Sequence, residues 1–236
     1  MRNAVIALAG TLLVLAGTTQ AIAQAAPPRG YGTPGTERTN SLRDRDVLRS
    51  KFVVPDEESA PDTYAVGLNI ARCIVSLGGG STGSLLGGAS TDDETYRDLI
   101  RAMRQRYATC AHDANGVSPM VVNYALAEAL VLKDAAPVPT DRAASVNVDE
   151  ADAFQSLGTE PVTMDQLARC LTVYSPGLAR KVIDTAAGSP EEAAALSELY
   201  GKSPECGLAS PPGSIATVYQ RGALAVAMYQ WTHRDS

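Results

Sequence analysis

The stretch Ala71-Arg72-Cys73 recurs as Ala168-Arg169-Cys170, and this recurrence decides the predicted fold. Two further matches follow in the same order, at spacings of 96 to 98 residues. They pair Cys110 with Cys206, and residues 125–130 (ALAEAL) with residues 223–228 (ALAVAM). Similarity at a nearly fixed spacing is typical of a duplicated structural unit. We therefore predict two copies of one helical unit, unit one at 61–133 and unit two at 163–232.

Hydrophobic periodicity predicts three to four helices in each unit and an all-α fold. The first helix of unit one carries apolar residues at helical spacing, namely Val66, Ile70, Cys73, Ile74 and Leu77. Such a stripe is typical of an amphipathic helix with one buried face. No run combines strand-like alternation with enrichment in β-branched residues, so we expect no sheet.

Helix-start signals mark the elements of unit two. Thr163 with Gln166 forms a predicted capping box, and Ser189 with Pro190 predicts a second helix start. The last helix is predicted to begin at Ser214 and to run to Trp231. Because this helix is apolar on most sides, we expect it at the centre of the fold.

Residues 1–23 have the features of a secretory signal peptide. Arg2 precedes a short apolar stretch, and Ala21-Ile22-Ala23 is a small-residue site that favours cleavage before Gln24. An uncleaved membrane anchor is the alternative, but a span needs about twenty apolar residues and this segment is interrupted by polar ones. We expect a periplasmic or secreted protein.

Two segments outside the units are poor in helix signals. Residues 24–60 are rich in proline and glycine, and we interpret them as a flexible leader. Residues 134–162 contain three prolines among small and acidic residues, and they are predicted to link the two units.

The four cysteines are predicted to form disulfides, the default for an exported chain. Three pairings are possible, and the repeat favours Cys73–Cys110 and Cys170–Cys206, one within each unit. The alternative is a catalytic or metal-binding cysteine. Because the chain has neither a C-x-x-C motif nor cysteine and histidine at zinc spacing, we predict no metal site and no cofactor.

A surface for an anionic partner is a hypothesis for the second helix of unit one. Arg97, Arg101 and Arg104 fall on one helical stripe, which could dock a lipid headgroup, an acidic polysaccharide or an acidic protein. The alternative is a solvated face whose charges pair locally. Glu192 and its acidic neighbours lie on the matching helix of unit two, so the two units are expected to present opposite charges.

Two other segments resemble ligand-binding or catalytic motifs only weakly. The segment Gly78–Gly88 lacks the lysine of a phosphate-binding loop, and we interpret it as a mobile loop anchored by Leu85 and Leu86. His112-Asp113 is a histidine–carboxylate pair, but no nucleophile motif accompanies it.

The sequence thus favours a non-enzymatic exported module over an enzyme. A net charge of −6 argues against general nucleic-acid binding, which needs a basic face. We expect a partner protein, an envelope component or a small apolar ligand, the last in a groove between helices. The alternative function is a periplasmic or secreted hydrolase that uses His112 with carboxylates from elsewhere.

Overall fold

A computed structural model of the chain describes residues 59–87, 95–112, 117–134, 139–155 and 163–234. The predicted signal peptide, all but the end of the leader, and Asp113 lie outside these residues.

Within the described ranges all regular secondary structure is helical, which confirms the all-α class. The helices are α1 (Ala60–Gly78), a first 3-10 helix (Gly79–Leu85), α2 (Thr95–Arg104), α3 (Pro119–Lys133), α4 (Val148–Gln155), α5 (Met164–Tyr174), α6 (Pro176–Asp184), α7 (Pro190–Gly201), a second 3-10 helix (Pro204–Cys206) and α8 (Thr217–Thr232). The helix starts predicted at Thr163 and Ser189 are confirmed, because each side chain accepts a hydrogen bond from the backbone three residues later.

Helices α3 and α8 pack against each other and are covered by the remaining helices. Helix α1 lies on α3, and α5 lies on α8. Every residue of α8 from Val218 to Met228 is buried, as predicted for a helix that is apolar on most sides. Helix α8 begins at Thr217 and not at Ser214, which lies in a turn before it.

Small residues set how closely the central helices approach. A Cβ atom added to Gly222 of α8 would lie 2.5 Å from the ring of Tyr124 in α3. One added to Gly67 of α1 would lie 2.9 Å from Cγ1 of Val121 in α3. Both helix pairs therefore need glycine at the point of contact.

The buried face of α1 includes only part of the predicted stripe. Ile70 and Ile74 are buried as predicted, whereas Val66 and Leu77 are 36% and 61% exposed. The face that packs on α3 contains Tyr64, Leu68 and Ala71. The prediction counted large aliphatic residues and overlooked the small and aromatic residues that allow close packing.

The glycine-rich segment is also more ordered than the predicted loop. Residues Gly79–Leu85 form a 3-10 helix, and Leu85 and Leu86 pack against the core as the predicted anchors. The segment lies so close to α8 that a Cβ atom on Gly83 would meet the Tyr229 hydroxyl at 2.0 Å.

Two disulfides join the cysteines that the repeat pairs. Cys73 of α1 is bonded to Cys110 in the turns after α2, with Cα atoms 5.5 Å apart. Cys170 of α5 is bonded to Cys206 of the second 3-10 helix, with Cα atoms 5.7 Å apart.

The predicted linker contains α4 and a segment that crosses the start of α6. The Ala143 amide donates to the Tyr174 carbonyl, and the Gly177 amide donates to the Asp141 carbonyl. A Cβ atom on Gly177 would lie 2.1 Å from the Pro139 carbonyl oxygen, so the crossing requires glycine. One hydrophobic core contains residues from both predicted units. None of the described helices is both long and apolar enough to cross a membrane.

Candidate functional site

A groove of about 430 Å³ lies between residues 139–150, α5 and the C-terminal end of α8. It is lined by Pro139, Ala143, Ser145, Val146, Asn147, Glu150, Thr172, Val173, Pro176, Met228, Trp231, Thr232 and Arg234. The crossing at Gly177 holds residues 139–147 against α5 and α6 and so forms one side of the groove.

The apolar wall of the groove is centred on Trp231, the one tryptophan of the chain. Its ring packs at 5.1 Å from the ring of Phe154 in α4. The Arg169 guanidinium lies 5.3 Å from the Phe154 ring and donates to the Phe154 carbonyl at 3.1 Å. Trp231 is therefore held in place from the side that faces away from the groove.

The mouth of the groove carries one positive and one negative side chain. The Arg234 guanidinium lies 3.9 Å from the centre of the Trp231 ring, and its Nη1 donates to the Trp231 carbonyl at 2.7 Å. Its Nη2 is 3.7 Å from Glu150 Oε2. Glu150 Oε1 accepts from Asn147 Nδ2 at 3.0 Å.

One buried hydroxyl belongs to the groove lining. Thr172 is 1% exposed, and its Oγ1 has no hydrogen-bond partner among the described residues. A buried hydroxyl without a partner lowers the free energy of unfolding, because its hydration is lost and not replaced. The Thr172 hydroxyl therefore lowers the stability of the fold.

A second polar feature lies in the core and was not predicted. We call Tyr64, Glu128, Glu192 and Arg221 the buried ion cluster; each is at most 2% exposed. Arg221 binds Glu128 through two hydrogen bonds of 2.7 and 2.8 Å, and its Nη1 is 3.4 Å from Glu192 Oε1. Tyr64 donates to Glu128 Oε2 at 2.7 Å.

Arg221 also binds the C-terminal end of α6. It donates to the carbonyls of Val182, Ile183 and Thr185 at 2.8, 2.5 and 3.0 Å. A cation is favoured at the last carbonyls of a helix. The guanidinium thus joins α3, α6, α7 and α8, and Tyr64 adds α1 through Glu128.

Burial and the contacts within the cluster shift the pKa values of Arg221 and Tyr64. Burial alone would lower the pKa of Arg221, but the hydrogen bonds and charge of Glu128 hold it above its usual value. Burial, followed by the charge and hydrogen bond of Glu128, raises the pKa of Tyr64 well above 10.0. Every member of the cluster is shielded from solvent.

The burial of Glu192 differs from the exposed position that the sequence predicted. Glu192 was expected on a charged surface, but it is 0% exposed and accepts from the Gly188 amide and from Thr217 Oγ1 at 2.8 Å each. The available signal was a charge inside each of two apolar helices: Glu128, the one charged residue of α3 before its terminal Lys133, and Arg221, the one charged residue of α8.

The predicted arginine surface lies on the solvent side of α2. Arg97, Arg101 and Arg104 are exposed, opposite the buried Tyr96 and Leu99. Arg101 pairs with Asp98 at 2.8 Å, both largely exposed. None of the three arginines lines the groove. The anionic-partner surface stays a prediction.

The histidines are placed on different parts of the fold. His112 is exposed in the turns after α2. His233 follows α8, with Nε2 3.6 Å from Asp134 Oδ2 and Nδ1 3.0 Å from Thr232 Oγ1. Nδ1 also lies 2.9 Å from the Tyr229 carbonyl oxygen.

Comparison with models of protein families, with curated proteins and with solved structures gave no match.

Proposed function

We propose that this protein is an exported, non-enzymatic binding module that holds one small, mainly apolar ligand in the groove beside Trp231. The observation that carries the proposal is the groove itself. Its volume of about 430 Å³ lies in the range of small-molecule sites, and Trp231, Met228 and Val173 give it an apolar wall.

The lining favours binding over catalysis. Its titratable side chains are Glu150 and Arg234, which face each other at the mouth. Catalytic acids and bases have pKa values tuned by burial and by specific partners. Glu150 and Arg234 are 52% and 39% exposed, so solvent screens both groups. The hydrolase that would use His112 remains the competing proposal.

Export is supported by the two disulfides, which are typical of oxidising compartments. The proposal places the mature N-terminus at Gln24, after the segment Ala21-Ile22-Ala23. N-terminal sequencing of protein recovered outside the cytoplasm tests this, and an intact Met1 on that protein would contradict it.

We also propose that the chain arose by duplication of one helical unit. Three features support it: equivalent disulfides, equivalent packing of α1 on α3 and of α5 on α8, and one equivalent polar contact. Asn123, the position matching Arg221, accepts from the Gly87 amide at 2.8 Å after the first 3-10 helix. Arg221 binds the end of α6, the matching helix. An experimental structure whose two halves fail to superpose would contradict the duplication.

Groove binding can be tested with the neutral fluorescent probe N-phenyl-1-naphthylamine. Because Trp231 is the one tryptophan and lines the groove, bound probe should quench its emission by energy transfer. Ala143→Phe fills the groove and is expected to abolish the transfer. Ala144→Phe, on an exposed neighbour outside the lining, is the matched control and should bind as the unmodified protein does.

Two results would overturn the proposed function. One is an absence of saturable quenching of Trp231. The other is an equal loss of quenching in Ala143→Phe and Ala144→Phe. Hydrolysis of ester or amide substrates that is lost in His112→Ala would support the competing hydrolase instead.

A further inference from the structure

We infer that the groove selects organic anions, with the anionic head group held by Arg234 at the mouth and the apolar body held against Trp231 and Met228. This inference rests on the proposed function and deepens it, because it names the chemistry of the ligand.

Arg234 is positioned before any ligand arrives. Stacking at 3.9 Å on Trp231 and the 2.7 Å hydrogen bond to the Trp231 carbonyl hold the guanidinium where the apolar wall meets solvent. A guanidinium carries five N–H donors in a planar fork that matches carboxylate and sulfonate oxygens. An anion entering from solvent can thus be bound in addition to the existing contacts.

The ion pair between Glu150 and Arg234 is weak. Glu150 Oε2 is 3.7 Å from Arg234 Nη2, longer than a hydrogen bond, and both side chains are substantially exposed. An ion pair of this kind is weak in water, whereas a charge-assisted hydrogen bond to a ligand anion is short and strong. Glu150 keeps its own stabilisation from Asn147 Nδ2 and from the N-terminus of α4.

Thr172 is a second and independent indication of a ligand. Thr172 lines the groove and is 1% exposed, and its buried Oγ1 has no hydrogen-bond partner in the described part of the chain. A valine of nearly equal shape would avoid this cost. The hydroxyl is explained if a ligand that enters past Arg234 places a polar atom against it.

The lining of the groove therefore defines an amphipathic ligand. Its apolar side chains, Val173, Met228 and Trp231, accept a hydrocarbon or aromatic body, and Arg234 accepts the anionic head. A neutral ligand of the same body uses the apolar wall alone, and a cationic one meets Arg234 as a like charge.

The test uses two probes that differ by one group. 8-Anilino-1-naphthalenesulfonate is N-phenyl-1-naphthylamine with an added sulfonate, so the ratio of their affinities reports the head group. Both are titrated into the full mature chain with Trp231 energy transfer as the signal. Arg234→Gln is expected to lower the ratio of sulfonate-probe affinity to neutral-probe affinity about tenfold.

Two variants serve as controls. Arg101→Gln removes an exposed arginine of α2 that is outside the groove lining, and it should leave the ratio unchanged. Arg234→Lys keeps the charge and should retain part of the preference. Urea unfolding of each variant checks that the fold is intact.

The outcomes separate the inference from the proposed function. If both probes quench Trp231 and Arg234→Gln leaves their ratio unchanged, the anion preference is wrong while groove binding stands. If Arg101→Gln lowers the ratio of the two probe affinities as much as Arg234→Gln does, the preference comes from the overall charge of the protein. That result also overturns the inference. If neither probe quenches Trp231, the proposed function itself fails.

Discussion

Arg221 and Glu128 form a two-point ion pair in the core, with Nε to Oε2 at 2.7 Å and Nη2 to Oε1 at 2.8 Å. The pair joins α8 to α3, the two helices on which the others pack. The free energy of unfolding therefore depends on a polar contact between the two predicted units.

Replacement of Arg221 by methionine should therefore be strongly destabilising. The variant leaves Glu128 and Glu192 buried without their cation, and a broken buried pair costs about 3–5 kcal/mol. Arg101→Met, which removes an exposed pair on α2, should cost less than about 1 kcal/mol. Urea unfolding of both variants checks this, and equal midpoints would refute it.

The two disulfides should contribute similarly to stability. They close loops of nearly equal length, with sequence separations of 37 and 36. The chain-entropy relation gives about 3–4 kcal/mol for each. We expect comparable losses in Cys73→Ser/Cys110→Ser and in Cys170→Ser/Cys206→Ser by urea unfolding. Mass mapping without reduction would contradict the architecture if it found the cysteines joined across the units.

We predict that ionisation of the buried Tyr219 lowers the stability of the fold at alkaline pH. Burial raises its pKa from 10.0 to about 12, so the folded state holds the phenol proton more tightly than the unfolded state does. The contribution is complete below about pH 10 and is lost as the pH rises through 12. Tyr219→Phe should therefore flatten the decline in unfolding free energy between these values.

The same substitution has a second expected effect at neutral pH. The Tyr219 hydroxyl is buried and has no hydrogen-bond partner within the described ranges. Its removal should leave the stability unchanged or raise it, since no bond is lost. A clear destabilisation of Tyr219→Phe at pH 7 would show that the Tyr219 hydroxyl does make a stabilising interaction.

Gly177 is expected to be indispensable for the wall of the groove. A methyl group at this position collides with the backbone of Pro139 and Asp141, and backbone cannot turn aside as a side chain can. Gly177→Ala should cost about 1–3 kcal/mol and should weaken probe binding at Trp231. Gly201→Ala is the control, because nothing lies within 4 Å of its added Cβ atom. Full probe affinity in Gly177→Ala would show that the crossing does not shape the groove.

Local signals in the sequence account for most of the helices. The capping residues Thr163 and Ser189 satisfy backbone amides three residues away, so their effect is readable without the fold. The mostly apolar sequence of α8 likewise predicted its central place. The cysteine pairing was predicted from matched positions in the proposed repeat.

The sequence by itself therefore determined the helical class, several helix starts and the two disulfides, because each depends on neighbouring residues or on a repeated pattern. The tertiary structure alone decided the rest of the buried face of α1, the burial of Glu192 and the partners of Arg221. Arg221 and Glu128 are 93 residues apart, and nothing local marks them as a pair. The groove beside Trp231 is likewise formed by three separate segments, whose meeting depends on the packing of the whole core.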